Sequence, residues 1–168
     1  GDGNLPSFTA TNPGASPVTA TITITPTFTN GSTVCPGPPV TFTITVNPDG
    51  QVDPVVNRIA CENSTVSVLF TTQNSGGTTT YNWTNTNTGI GLPATGSGNI
   101  SFNATNTSTS PITGTITVTP VFSNGGTSCP GPSQSFNITI NPEGQVNDPA
   151  DMIICNGTVQ NVVFTTVN

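Results

Sequence analysis

The sequence has very few charged side chains, and nearly all of them are acidic. It contains no lysine, no histidine and one arginine, Arg58, and its formal net charge is −6 at pH 7. Charged residues make up 5% of the chain, where about 25% is usual. Because nucleic-acid phosphates are bound mainly through lysine and arginine, a nucleic-acid partner is not expected. Attraction to an anionic membrane surface is excluded for the same reason.

The missing residue types also exclude most catalytic chemistry. Without histidine there is no imidazole base, and without lysine there is neither a Schiff base nor a Ser–Lys pair. Internal Lys–Asn isopeptide bonds are excluded as well. Carboxylate pairs could hydrolyse glycosides, but the seven acids form no recognisable constellation. We therefore expect that the protein is not an enzyme and needs no cofactor.

Long apolar runs are absent too. No stretch approaches the roughly 20 apolar residues of a membrane helix, so membrane insertion is not expected. There is no signal-peptide pattern, and the opening Gly1-Asp2-Gly3 suggests a mature product or a piece of something longer. A lysine-free surface rich in threonine and asparagine predicts an extracellular protein.

What the sequence does contain is a tandem repeat. "VCPGP" at 34–38 returns as "SCPGP" at 128–132. The offset of 94 also relates "TITITPTFTNG" (21–31) to "TITVTPVFSNG" (115–125), "FTITVNPDGQV" (42–52) to "FNITINPEGQV" (136–146), and "VLFTTQN" (68–74) to "VVFTTVN" (162–168). Residues 51–145 therefore form one complete repeat. Residues 1–50, the leading segment, match its C-terminal part, and residues 146–168, the trailing segment, match its N-terminal strands.

The incomplete repeats raise the question of what completes them. A sandwich that lacks strands leaves edge backbone unpaired, which is costly. We expect either that the polypeptide continues on both sides or that copies join head to tail and share strands.

Alternation with period two predicts strands over Thr21–Thr25, Thr41–Val46, Thr115–Thr119 and Ser135–Ile140. Turn residues separate these segments, and no stretch has a helical period. Such a pattern predicts an all-β fold of tandem immunoglobulin-like β-sandwich repeats with a period of 94 residues. Trp83 is expected to be the central aromatic of the core, and Phe42 and Phe136 are expected to point inward.

The motif order "CENSTVSVLFTTQN", "YNWTNTNTGIG", "TITVTP" and "FNITINP" resembles the PKD-like repeats of very large Bacteroidetes surface proteins. Some of those proteins are gliding-motility and adhesion filaments that the type IX pathway exports. The resemblance covers essentially the whole chain and implies an immunoglobulin-like fold, surface display and a structural or adhesive role. The "FGDG" run that follows the tryptophan in standard PKD domains is absent, so no role of that run is carried over.

The four cysteines, Cys35, Cys61, Cys129 and Cys155, are spaced 26 residues apart in both copies. Asn47-Pro48-Asp49-Gly50 suits a type I turn. If that turn closes a hairpin, Cys35 faces Cys61, and Cys129 faces Cys155 in the second copy. We therefore predict disulfides 35–61 and 129–155.

Other states of the cysteines stay open. If the NPDG segment is a linker, Cys61 is carried away from Cys35, and pairing of Cys61 with Cys129, or between chains, becomes feasible. Free thiols are a third alternative. A metal site is not expected, because no CxxC or histidine accompanies the cysteines.

Six acids lie beside the two repeat boundaries: Asp49, Asp53 and Glu62 at the first, and Glu143, Asp148 and Asp151 at the second. They are weak candidates for Ca²⁺ ligands, and solvated turns explain them equally.

Eight N-x-S/T sequons occur, close to the number that this composition gives by chance. The protein could be a glycoprotein, but the sequence fixes no glycosylation site.

These observations predict an extracellular structural repeat of a surface filament or stalk. Its partners would be copies of itself or adjacent repeats of the same chain. The alternative is an adhesin repeat that binds glycans or cells.

Overall fold

The structure, a computed structural model, describes residues 3–167 of the chain. This range holds twelve β-strands and a single 3-10 helix of three residues, so the predicted all-β fold is confirmed. The alternating threonines, valines and isoleucines explain this, since β-branched residues suit a pleated, half-buried surface.

The leading segment contributes β1 (Val18–Ile24), β2 (Thr27–Asn30), β3 (Thr33–Pro36) and β4 (Val40–Val46). The complete repeat contributes β5 (Arg58–Cys61), β6 (Thr65–Val68), β7 (Thr78–Asn85), the 3-10 helix η1 (Thr88–Ile90), β8 (Thr95–Ser97), β9 (Ile100–Asn103), β10 (Ile112–Asn124), β11 (Thr127–Pro130) and β12 (Gln134–Asn141). Three of the four segments predicted as strands lie wholly in strands, and Thr21–Thr25 runs one residue past the end of β1.

One six-stranded sheet has the order β5-β12-β10-β7-β8, with β11 paired to β10. Three two-stranded sheets, β1-β4, β2-β3 and β6-β9, complete the arrangement. Sheets with one apolar face give the sandwich-like fold that the sequence predicts. Among the described residues no helix is long or apolar enough to cross a membrane.

The described chain forms two compact units. The first contains the residues up to Asp53, together with Thr71–Tyr81 and Thr119–Ser133. The second contains Pro54–Phe70, Asn82–Val118 and the chain from Gln134 onward. β7 and β10 contribute residues to both units, so these units do not follow the repeat boundaries, which stay predictions.

The core of the second unit is apolar and well filled. Trp83 is buried as predicted, and its indole Nε1 donates to the Gly98 carbonyl at 3.2 Å. Phe136 is also buried as predicted and meets Phe70 edge to face, with ring centroids 6.3 Å apart. Around them lie Val66, Val68, Ile90, Leu92, Ile100, Ala104, Ile116, Val118, Ile138 and Ile140.

Two buried asparagines hold loops onto this core. Asn106 Nδ2 donates to the carbonyls of Ile140 at 2.8 Å and Ser110 at 2.9 Å. Asn85 Nδ2 donates in the same way to Leu92 at 2.8 Å. Because a buried amide without partners would be costly, these bonds explain why two polar side chains lie among apolar ones.

β1 and β4 of the leading segment pair as β10 and β12 do. Val18 faces Val46, and Ile112 faces Ile140, which is the same register with 94 added to each number. The prediction that Phe42 points into a core is wrong, because its side chain is exposed. β4 pairs only with β1 in its sheet, whereas β12 is flanked by both β10 and β5.

The predicted hairpin at NPDG is also wrong. β4 pairs with β1, and β5 pairs in parallel with β12, so no strand pair spans residues 47–50. All four cysteines are free, and neither the 35–61 nor the 129–155 bridge is formed. The turn propensity of residues 47–50 produces no hairpin, because these residues bond to Asn124, Cys129 and Asn74 instead.

Candidate functional site

The residues after β4 form the best-defined polar and close-packed site in the first unit. Residues 47–52 pass from the leading segment into the complete repeat and contact the hairpin β10–β11 and the loop of residues 71–77. We call this site the junction. Pro48, Gly50 and Val52 are buried in it, whereas Asp49 between them is exposed. The NPDG motif is therefore a packed connection rather than a free turn.

A reciprocal pair of asparagine side chains lies at the start of the junction. Asn47 Nδ2 donates to the Asn124 carbonyl at 3.0 Å, and Asn124 Nδ2 donates to Asn47 Oδ1 at 2.9 Å. Asn47 follows β4 and Asn124 ends β10, so the pair ties the end of one repeat to the strand tip of the next.

Gly50 lets two backbones touch. Its N–H donates to the Cys129 carbonyl at 3.1 Å. A Cβ at Gly50 would lie 2.6 Å from the Pro120 carbonyl oxygen, and a Cβ at Gly131 would overlap the Gly50 carbonyl. Neither glycine can carry a side chain without moving backbone. The recurring CPGP and NPDG motifs therefore fit against each other.

Asn74 fastens the other side of the junction. Its Oδ1 accepts from the Gln51 N–H at 2.7 Å, and its Nδ2 donates to the Asp49 carbonyl at 3.1 Å. Next to it, the Ser75 N–H donates to the Ala15 carbonyl at 2.8 Å. One side chain thus bonds two backbone positions of the connecting segment.

Two titratable groups lie close to this end of the complete repeat. The hydroxyl of Thr71, at 2.6 Å, and the amide of Gln73, at 3.0 Å, donate to the Asp53 carboxylate and lower its pKa. Burial raises the pKa of Tyr81, and the Asp53 charge adds to that rise. The two hydrogen bonds to Asp53 hold the end of the connecting segment against the loop of residues 71–77.

The residues that correspond to the junction in the other repeat copies are more exposed and lack its close backbone contacts. Gly37 N–H donates to the Pro26 carbonyl at 2.8 Å, as Gly131 donates to Pro120 at 2.9 Å. Yet Cys35 and Pro36 are exposed, and a Cβ at Gly144, the counterpart of Gly50, would touch nothing within 4 Å. The CPGP motif at 35–38 therefore keeps its local backbone bond, but within residues 3–167 neither Gly37 nor Gly144 has the backbone packing of Gly50 against Gly131.

The six acids proposed as calcium ligands do not gather into a site. Asp53 is engaged by Thr71 and Gln73, and Glu143 Oε1 accepts from Asn63 Nδ2 at 2.6 Å. Asp49, Asp148 and Asp151 are exposed, and Glu62 is half-buried. Within residues 3–167 no three acidic, histidine or cysteine side chains form a group that could hold a metal ion.

The cysteines have separate local roles. The Cys129 carbonyl belongs to the junction. Cys61 and Cys155 each begin a tight turn, in which Ser64 or Thr158 donates its N–H to the cysteine carbonyl at 3.3 Å or 3.2 Å.

Among the sequon asparagines, Asn106 is buried and bonded, so it offers no acceptor site for a glycan.

The junction amides were missed by the sequence analysis. Asn47, Asn74 and Asn124 recur at the same repeat positions as Asn141, Asn168 and Asn30. That recurrence was the available signal, but in a chain so rich in asparagine it does not stand out.

Comparison with protein-family models and with curated protein sequences finds no match to this chain.

Proposed function

We propose that the chain is a structural repeat of an extracellular surface filament or stalk, in which consecutive sandwich repeats are fastened end to end. The observation that carries this proposal is the junction: Gly50 and Gly131 in backbone contact, with Asn47 paired to Asn124. A flexible linker between binding modules would need none of these contacts.

The chemistry of the molecule supports a mechanical role. The junction offers amides, carbonyls and close-packed glycine and proline, which bond and pack against neighbouring backbone. Few charges allow neighbouring copies to lie close without repulsion. The resemblance to PKD-like repeats of bacterial surface filaments agrees with this proposal.

The exposed strand faces favour the structural role over the adhesin alternative. Hydroxyls on β10 and β12 bond across the strands, as Thr113 with Thr139 at 2.8 Å and Thr117 with Ser135 at 2.9 Å. Thr19 and Thr45 form the same bond at 2.8 Å. Each of these bonds uses one of the two hydroxyl donors of the pair, so fewer donors are left for a glycan. Binding to glycans or cells stays the second candidate.

Electron microscopy of the native, never refolded surface material tests the proposal. We expect regular fibres with an axial repeat of about 40 Å, because the 13-residue strand β10 spans about 3.3 Å per residue. Isolated flexible strings that end in a distinct tip would contradict it, because these repeats would then be only a spacer.

A further inference from the structure

The leading and trailing segments expose side chains whose counterparts in the complete repeat are buried. Phe28 is 70% exposed, and its counterpart Phe122 is 0% exposed. In the trailing segment Phe164 is 69% exposed and Phe70 is 5% exposed, and Val162 and Val68 are 41% and 2% exposed. Each segment therefore carries one half of a sandwich core without the other half.

Both segments already contain local hydrogen bonds that match those of the complete repeat. In the trailing segment Asn147 N–H donates to the Thr165 carbonyl at 2.8 Å, as Asp53 donates to Thr71 at 2.8 Å. In the leading segment Asn12 Nδ2 donates to Val46 and Ser16 at 2.8 Å and 2.9 Å, which repeats the bonds of Asn106. Such preorganisation lowers the entropy cost of association.

We propose that the trailing segment of one copy adds to the leading segment of a second copy and completes a composite sandwich. The complete repeat supplies the register. There β5 lies parallel to β12, with Ile138 facing Arg58 and Ile140 facing Ala60. By subtraction and addition of 94, Ile44 of the acceptor faces Met152 of the donor, and Val46 faces Ile154.

The donor strand, residues 152–155, therefore extends the open edge of β4, and Phe164 enters the core beside Phe42 as Phe70 meets Phe136. The same movement places Gly144 of the donor against Gly37 of the acceptor, as Gly50 lies against Gly131. Because donor and acceptor surfaces differ, each added copy leaves a free surface of each kind, and the assembly grows as a linear polymer.

This inference rests on the proposed function, since it names the partner of the filament repeat. The counterpart of residues 75–94, which include β7, is in neither segment. A composite module is therefore less stable than the complete repeat, and association is expected to depend on concentration.

The test uses the purified 168-residue chain, with light scattering and sedimentation over a concentration series. We expect linear oligomers. Phe164→Asp on the donor and Phe42→Asp on the acceptor should each weaken association by at least roughly tenfold, because their counterparts Phe70 and Phe136 meet edge to face in the complete repeat. Both residues are exposed in the single chain, so neither change should unfold it.

Matched controls add the same charge beside each anchor. Val163→Asp lies next to Phe164, and its counterpart Leu69 is 70% exposed in the complete repeat. Thr41→Asp lies next to Phe42, and its counterpart Ser135 is exposed. Both controls should associate like the unmodified chain. Equal loss in controls and test variants would overturn the register.

Mixing gives the sharpest outcome. Phe164→Asp keeps a working acceptor and Phe42→Asp keeps a working donor, so an equimolar mixture should form dimers and nothing longer. A chain with a second copy of residues 75–94 appended after Asn168 should associate more tightly, because it supplies the missing β7. Mixtures that stay monomeric, or no gain from the added residues, would overturn the exchange.

The outcomes separate the two proposals. A monomeric chain together with fibrous native material rejects strand exchange and leaves the proposed function standing. A polymerising chain whose native material forms flexible, tipped strings rejects the proposed function alone.

Discussion

The leading segment and the complete repeat share one sequence pattern and one strand pairing, but their side chains differ in burial. β1 pairs with β4 in the same register as β10 with β12, and the hydroxyl bond of Thr19 with Thr45 matches that of Thr113 with Thr139. The backbone is the same, but Phe28 is exposed and Phe122 is buried. Strand pairing is thus local to each repeat, whereas the core depends on which neighbours are present.

The largest expected difference lies at these phenylalanines. Phe122→Ala should lower the free energy of unfolding by about 3–5 kcal/mol, because it removes a fully buried ring. Phe28→Ala should change it by less than about 0.5 kcal/mol, as exposed positions do. Urea denaturation of the two variants measures the difference, and similar losses would mean that Phe28 is also part of a core in the single chain.

The second comparison concerns the glycines of the CPGP motifs. Gly131→Ala should cost about 1–3 kcal/mol as an overpacked contact, because its Cβ would overlap the Gly50 carbonyl. Gly37→Ala should cost less, because the atom nearest to its Cβ would be a side-chain carbon of Pro26 at 2.9 Å, and the nearest backbone atom would lie at 3.6 Å. Thermal unfolding of both variants tests this, and an unaffected Gly131→Ala variant would mean that the junction is loose.

A smaller difference in stability is expected between Asn106 and its repeat counterpart Asn12. Asn106→Ala leaves the carbonyls of Ile140 and Ser110 without their donor in a buried place, which should cost about 1–3 kcal/mol. Asn12→Ala removes the same two bonds at a half-buried position, where water can replace the amide, so its cost should be smaller. Urea midpoints compare the two, and equal costs would contradict the assigned difference in burial.

The local patterns predicted the strands well, but they could not predict the partners of the strands. Period-two alternation placed β1, β4, β10 and β12 because it reports which face of a strand is buried. The turn signal of Asn47-Pro48-Asp49-Gly50 predicted a hairpin, yet the parallel pairing of β5 with β12 joins residues about 80 positions apart. Such pairing depends on the whole sandwich and leaves no local mark.

The exposure of Phe42 and the absence of the two predicted disulfides were not foreseen for a related reason. Both predictions assumed that each repeat is complete or that its neighbouring strands pair in sequence order. The sequence indicated the junction only in part. It shows that CPGP and NPDG recur, but the contact of Gly50 with Gly131 can be recognised only in the folded structure.

The smallest predicted effect is on the acid side of the stability curve. The lowered pKa of Asp53 means that the native state binds this proton less readily than the unfolded chain. Its contribution is therefore present above the unfolded pKa of about 3.8 and is lost as the pH falls through the lower native value. Asp53→Asn should flatten the loss of stability below about pH 5, and Thr71→Val should do so to a smaller extent, because it leaves the bond from Gln73. Unfolding measured from pH 2 to 6 tests this, and an unchanged slope would contradict the assigned bonds.

Hydrogen exchange at the Gly50 amide tests the fastening of consecutive repeats most directly. This N–H donates to the Cys129 carbonyl inside the junction, whereas Gly144, its counterpart, is exposed. If the junction holds the repeats together, the Gly50 amide exchanges as slowly as the amides of β10 and β12, and the Gly144 amide exchanges fast. Fast exchange at Gly50 would mean that residues 47–52 are a flexible linker and would contradict the proposed structural role.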